Sequence, residues 1–147
     1  MSAPSTSPLE WDYRFLKMAG EVAEWSKDPS RAVGAVLVSP DRRRLSVGYN
    51  GFPVGVADTA ERLDDDSLRL ALTIHAELNA ILNAKCDTGG WTLYCTRSPC
   101  LDCAKSIVQA GIRRVVALPV GAGSKWAANC EVAANFMREA GLAVDAP

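Results

Sequence analysis

The segment from His75 to Cys103 reads His-Ala-Glu-Leu-Asn-Ala-Ile-Leu-Asn-Ala-Lys-Cys-Asp-Thr-Gly-Gly-Trp-Thr-Leu-Tyr-Cys-Thr-Arg-Ser-Pro-Cys-Leu-Asp-Cys. It opens in an apolar helical stretch and breaks at Gly89-Gly90. It resumes as a short strand over Trp91 to Thr96, then enters a second helix through Ser98-Pro99. Ser suits a helix N-cap and Pro the first helical position. Gly111 stands where that helix should end. Downstream, Val115 to Val120 reads as another strand and Trp126 to Ala140 as a helix closed by Gly141. Leu142 to Val144 reads as a short final strand. This alternation of strand and helix implies parallel pairing within a mixed sheet covered by helices, an α/β fold.

Upstream, apolar residues at Leu9, Phe15, Leu16, Ala19, Val22 and Ala23 trace a helical stripe that Asp28-Pro29-Ser30 ends. Val33 to Val38 is a buried strand, and Leu45 to Asn50 returns after the polar turn Pro40 to Arg43. Gly51 to Asp66 reads as loop and Leu68 to Ala84 as a helix in which Thr73 could cap a fresh start. Arg42-Arg43-Arg44 and Asp64-Asp65-Asp66 read as solvated runs. The chain of 147 residues suits a single domain over 9–147, preceded by a Pro/Ser/Thr-rich tail over 1–8 expected to be disordered.

A net charge of −1 gives no bulk basic signature for gripping a nucleic-acid polymer, so a small substrate is expected. There is no apolar run of membrane-spanning length and no secretory leader at Met1, which predicts a cytoplasmic protein with no membrane partner. Thiols stay reduced there, so the five cysteines read as metal ligands or small buried groups rather than disulfides.

Cys100 and Cys103, three apart, share one face of a helical turn near a helix N-terminus, where the helix dipole favours thiolate. Zinc accepts two thiolates and one imidazole, and a catalytic site leaves the fourth tetrahedral position to water. His75 is the sole histidine. Glu77, two residues on, would diverge from it in mid-helix but not at a helix entry, where it can reach the metal's water without ligating. His-x-Glu followed by Pro-Cys-x-x-Cys is the zinc-deaminase signature. The competing reading is a closed structural site with Cys86, Cys95 or Cys130 as fourth ligand, a zinc-stabilised binding module without turnover.

Ser26-Lys27-Asp28-Pro29, Val33-Gly34-Ala35, Gly48-Tyr49-Asn50-Gly51-Phe52-Pro53, His75-Ala76-Glu77-Leu78-Asn79-Ala80-Ile81, Ser98-Pro99-Cys100, Cys103-Ala104-Lys105 and Gln109-Ala110-Gly111-Ile112 together resemble the deoxycytidylate (dCMP) deaminases of the cytidine deaminase superfamily. The resemblance implies a three-layer α/β/α fold around a mixed five-stranded sheet. It implies hydrolytic deamination of dCMP to dUMP for thymidylate synthesis, with one catalytic Zn2+ per subunit on His75, Cys100 and Cys103 and Glu77 as proton carrier. It implies homo-oligomers, often hexamers, activated by dCTP and inhibited by dTTP. The regulatory triphosphate, accompanied by Mg2+, would lie at Gly48, Tyr49, Asn50, Gly51 and Lys85. Asn50 would also meet the substrate sugar, and Ser98 and Trp126 the substrate. Lys27, Arg31 and Lys85 are the candidate phosphate partners. Without the resemblance, Asn50-Gly51 is a favoured turn pair.

Two places depart from the family pattern. Gly121-Ala122-Gly123-Ser124-Lys125-Trp126 lacks the tyrosine and acidic residues frequent there, and Arg97 stands where a small or apolar residue is common. The rivals within enzymes are deaminases of dCTP, cytidine, modified dCMP, tRNA adenosine, guanine or pterin.

Overall fold

The computed structural model describes residues 7–147. Five strands, β1 (Gly34–Val38), β2 (Leu45–Tyr49), β3 (Thr92–Cys95), β4 (Arg114–Ala117) and β5 (Ala143–Asp145), form one sheet in the order β2-β1-β3-β4-β5. β1 pairs antiparallel with β2 and β3, whereas β3, β4 and β5 run parallel. This is the mixed sheet expected, and its parallel half follows from the helical crossovers after β3 and β4. The rest of the tail expected over 1–8 lies outside the described residues, but Ser7 and Pro8 open α1 (Pro8–Ala23) with a capping box between Ser7 and Glu10.

Strand alternation sends two sets of side chains to two helical layers. Val36, Val38, Tyr94 and Val116 face Phe15, Leu16 and Ala19 of α1. Ala35, Leu37, Leu93, Cys95, Val115 and Ala117 face α4 (Ala76–Ala84), α5 (Leu101–Gln109) and α6 (Ala127–Glu139). The result is the three-layer α/β/α arrangement. α1 is pinned by a buried polar knot. Both oxygens of Asp12 accept hydrogen bonds from Arg114 at 2.8 Å, and the Tyr94 hydroxyl donates to Asp12 at 2.8 Å.

Two glycines let helices touch the sheet. A Cβ on Gly34 would sit 2.0 Å from the Ala19 carbonyl oxygen of α1, and one on Gly48 would sit 2.3 Å from Ala80 N and 2.4 Å from Ala76 O of α4. Gly48 begins a row of small residues across the sheet, through its register partners Ala35, Cys95 and Ala117. Into that trough settles the first turn of α4.

The segment before α4 differs from the sequence reading. The expected loop 51–66 contains α2 (Ala60–Asp64), and the expected helix 68–84 is two helices, α3 (Asp66–Leu72) and α4, broken at 73–75. The aspartate run is not merely solvated, because Asp65 caps α3 by accepting from Leu68 N at 2.9 Å. Thr73 ends α3 rather than starting α4. Ile74 exchanges both backbone hydrogen bonds with Gly51, at 2.8 and 3.1 Å, and this tertiary bridge holds the chain extended where local propensity is helical. The arginine run also has partners, since Arg42 lies 5.1 Å over the Trp11 ring and Arg44 lies 5.4 Å over Trp91. Ser98 and Pro99 lie outside the helix and Cys100 is the N-cap of α5, so that helix begins at Leu101. Among the described residues no helix is long and apolar enough to cross a membrane.

Gly48→Ala places a methyl group against two backbone atoms that cannot yield independently. A loss of about 2–3 kcal/mol in denaturant unfolding is expected, together with weaker metal retention because α4 must lift from the trough. Unchanged stability would show that the helix is not seated as described.

Candidate active site

The break at 73–75 and the loop before α5 put two helix N-termini at the same place. His75 is the N-cap of α4, with extended backbone (φ −70°, ψ 155°), and Cys100 is the N-cap of α5 (φ −77°, ψ 169°). Neither side chain caps its own helix. Both point instead to a common centre, where His75, Cys100 and Cys103 bring one ligand atom each to within 4.8 Å of one another. His75 Nδ1 lies 3.2 Å from Cys103 Sγ and 3.5 Å from Cys100 Sγ. Zinc bonds of about 2.3 Å to sulfur and 2.1 Å to nitrogen would give a tetrahedral edge of about 3.6 Å, so the donors stand close to where a zinc ion needs them. Among the described residues no fourth His, Cys, Asp or Glu joins the group. Cys130 Sγ donates to the Ser98 carbonyl at 3.5 Å, Cys95 Sγ donates to Glu77, and Cys86 is exposed. The cysteines considered as a fourth ligand are therefore otherwise placed, and the set is that of an open site.

The protonation pattern suits a metal. A hydrogen bond from Cys103, aided by His75, holds Cys100 down to about 4, while Cys103 is pushed far up because it is the donor and is buried. His75 is raised by its hydrogen bond to Cys100. The two sulfurs thus share a proton that a cation would displace. The α5 N-terminus favours that negative charge. Asn129 of α6 accepts from Leu101 N at 2.9 Å and takes up one free N–H of the first turn.

Glu77 lies in the first turn of α4, and its entry geometry turns it toward the same centre rather than away from His75. It is 4 % exposed. Burial pushes its carboxyl above the usual carboxylate range, against the lowering influence of Cys103 and His75. Beneath it, Cys95 donates to Oε1 at 3.4 Å. Burial raises that thiol well above its ordinary value, so it stays a donor.

A cavity of about 290 Å³ opens over this centre. Its wall includes Arg31, Asn50, Ser98 and Trp126 from the sequence expectation, together with His75, Glu77 and Cys100. Lys27 is not on the wall. It pairs with Asp58 at 2.9 Å on the surface. Lys85 ends α4 in left-handed conformation (φ 54°). Asn79 donates to Tyr49 O and Asn83 to Val47 O, so α4 runs against β2 and carries Lys85 away from Tyr49. The grouping of Lys85 with Gly48–Gly51 is thus not brought together. Within that group, Gly48 packs against α4 and Gly51 bridges Ile74. Tyr49 forms an edge-on aromatic pair with Trp25 at 6.1 Å, and both are exposed. Asn50 is buried. It accepts from Val33 N and donates to the Arg31 carbonyl, each at 2.8 Å, so it orders the wall that carries Arg31.

The cavity wall also includes Asp28, Asp66, Arg69 and Lys125, which the sequence reading did not assign to the site. Arg69 is buried, 2.8 Å from Asp66 and 3.5 Å from Asp28. Nothing local marks it, because α3 reaches the site only through the Gly51–Ile74 bridge. Arg97 lies 5.9 Å over the Trp126 ring.

The family described as "Cytidine and deoxycytidylate deaminase zinc-binding region" matches residues 9–119. An uncharacterized deaminase in the luxG 3′ region of Aliivibrio fischeri is 41 % identical over 137 residues, 92 % of each chain. The deoxycytidylate deaminase of Mus musculus is 41 % identical over 116 residues, 74 % of this chain and 64 % of the mouse enzyme, so the chain spans just under two thirds of that relative. The crystal structure of dCMP deaminase from the cyanophage S-TIM5 in apo form superposes with a TM-score of 0.75 at 25 % identity, covering 97 % of this chain and all of the other.

Cys100→Ala and Cys103→Ala are each expected to abolish stoichiometric metal in elemental analysis, while Cys86→Ala and Cys130→Ala retain it. Full metal content in either of the first pair would remove that cysteine from the ligand set.

Proposed function

Because the chain belongs to the cytidine and deoxycytidylate deaminase family, we propose that it hydrolyses dCMP to dUMP and ammonia, supplying thymidylate synthesis. The observation that carries the reading is the open three-donor group of His75, Cys100 and Cys103 with a buried carboxylate beside it. These three residues would hold one Zn2+, which supplies activation of water for attack on C4 of the cytosine ring. Glu77 does the proton work. It accepts a proton from the attacking water and delivers it to N3, then takes the proton of the new C4 hydroxyl and gives it to the departing amine as the C4–N bond breaks and the carbonyl forms. One carboxylate can serve both steps because they are sequential. Burial raises its affinity for protons, the direction that proton shuttling requires. Burial excludes bulk water that would compete.

Around the base, Trp126 offers a flat wall and Ser98 a hydroxyl. Asn50 keeps one lone pair of Oδ1 beyond its bond to Val33 N, enough for one sugar hydroxyl. The phosphate belongs at the cationic side of the cavity. Arg31, Arg97 and Lys125 form no ion pair among the described residues, whereas the charge of Arg69 is met by Asp66 and Asp28. A phosphate dianion can therefore be held by Arg31, Arg97 and Lys125 rather than by Lys27 or Lys85. We carry the rest of the reading with it: a cytoplasmic homo-oligomer, hexameric by analogy, in which dCTP with Mg2+ activates and dTTP inhibits. The exposed Trp25–Tyr49 pair is the feature of the Gly48–Gly51 segment best suited to meet a nucleotide or a neighbouring subunit.

Glu77→Gln is expected to keep its metal and lose at least ~100-fold of dCMP turnover in an ammonia-release assay. Full activity would refute the proton-carrier role. Side-by-side assays of dCMP, dCTP, deoxycytidine and cytidine, with and without dCTP or dTTP, test the substrate and its regulation. In the same assay, Arg97→Leu should lower kcat/KM for dCMP by about 10- to 100-fold, the worth of one charge-assisted hydrogen bond, and leave deoxycytidine unchanged. Equal losses on both substrates would place Arg97 away from the phosphate.

A further inference from the structure

Within the row formed by Gly48, Ala35, Cys95 and Ala117, the Glu77 carboxylate meets Cys95. Three members of that row offer no polar side-chain atom. Cys95 does, and it is fully buried beneath the carboxylate, with Sγ 3.4 Å from Oε1. Cys103 also approaches Glu77, but a ligand sulfur gives up its proton to the metal and has none left to donate. Cys95 stands outside the ligand group and keeps its S–H.

We propose that Cys95 is the positioning residue of the proton carrier: its thiol tethers Oε1 and leaves the second oxygen of Glu77 directed to the cavity. The proposal rests on the role given above to Glu77. A glutamate side chain has three torsions, and each must be fixed for the carboxylate to meet the reacting atoms. The backbone N–H of Glu77 also approaches the carboxylate, but it belongs to the same residue; a donor fixed on the sheet removes the remaining freedom, which matters because a misdirected reacting group costs rate steeply.

Three measurements on the zinc-loaded full chain test this. Cys95→Ala removes the donor without adding bulk to the row. It should lower kcat for dCMP by about 5- to 10-fold, the worth of one ordinary hydrogen bond, with KM and metal content unchanged and a lower melting temperature from the small cavity left. Cys95→Ser restores a donor but buries a hydroxyl. It should recover most of kcat despite a melting temperature that is also lower. Two variants that both lose stability thus part in activity, which a merely structural cysteine would not produce. An Ala variant with parental kcat, or a Ser variant with a kcat no higher than that of the Ala variant, overturns the proposal. The third readout needs no turnover: the S–H stretching band that disappears in Cys95→Ala should shift when Glu77 becomes Gln, and an unmoved band also overturns it. If the parent deaminates no cytosine compound, the substrate reading fails by itself, and the vibrational test still decides whether Cys95 holds Glu77.

Discussion

The site depends on how closely α4 can approach the sheet. Gly48 is the point of contact, where a single added methyl group would strike backbone atoms of Ala76 and Ala80. Ala35, Cys95 and Ala117 continue the trough in register. Only because the trough is shallow-sided can the first turn of α4 lie low enough to face the first turn of α5. Ala76 and Ala80, both fully buried, are the matching small residues on the helix. Larger side chains in this row would add apolar area but raise the helix and separate His75 from the two sulfurs. The local sequence sacrifices hydrophobic burial for proximity.

The second constraint is electrostatic. In most helices the N-cap side chain satisfies a free N–H of the first turn. Here neither N-cap, His75 nor Cys100, gives its helix a conventional oxygen cap. The N–H groups of the first turn of α5, that of Cys103 toward Cys100 among them, put partial positive charge beside the sulfurs and support thiolate at Cys100. Asn129 takes up another of them from a third helix, which also ties α6 to the centre. The capping energy forgone, roughly 1 kcal/mol for each helix, is small beside the affinity of a zinc ion for two thiolates and an imidazole.

Much of this was legible in the sequence because the deciding residues act locally. Strand and helix order follow from apolar period and from Gly and Pro punctuation. The ligand triad follows from three residues whose spacing has few other uses. What the sequence conceals is what tertiary contact decides. The break at Thr73-Ile74-His75 runs through good helix formers, and only the pairing of Ile74 with Gly51, over twenty residues away, enforces it. The same bridge carries Arg69 to the cavity, so its place could not be read from α3. Lys27 and Lys85 looked like equals of Arg31 as cations. Lys27 is met by Asp58, and the direction of α4 against β2 takes Lys85 elsewhere. Gly48 read as part of a nucleotide-associated motif, and nothing local marks the close approach of α4 that it permits.

The cavity is therefore divided by depth. At the bottom, Glu77 is nearly excluded from water and its carboxyl is poised by burial, the setting in which proton transfer is most sensitive to geometry. At the rim, Arg31, Arg97 and Lys125 form no ion pair among the described residues and line the cavity where a charged group can enter. Asp28 would weaken that cationic side if it were free. It is instead engaged by the backbone N–H groups of Ser30 and Arg31 and approached by Arg69. Arg69 thus acts as an internal counter-ion, keeping two carboxylates of the wall from competing with an incoming anion. The separation allows specificity for a charged substrate to be changed at the cationic side, where Arg97 and Lys125 stand, without disturbing the chemistry below.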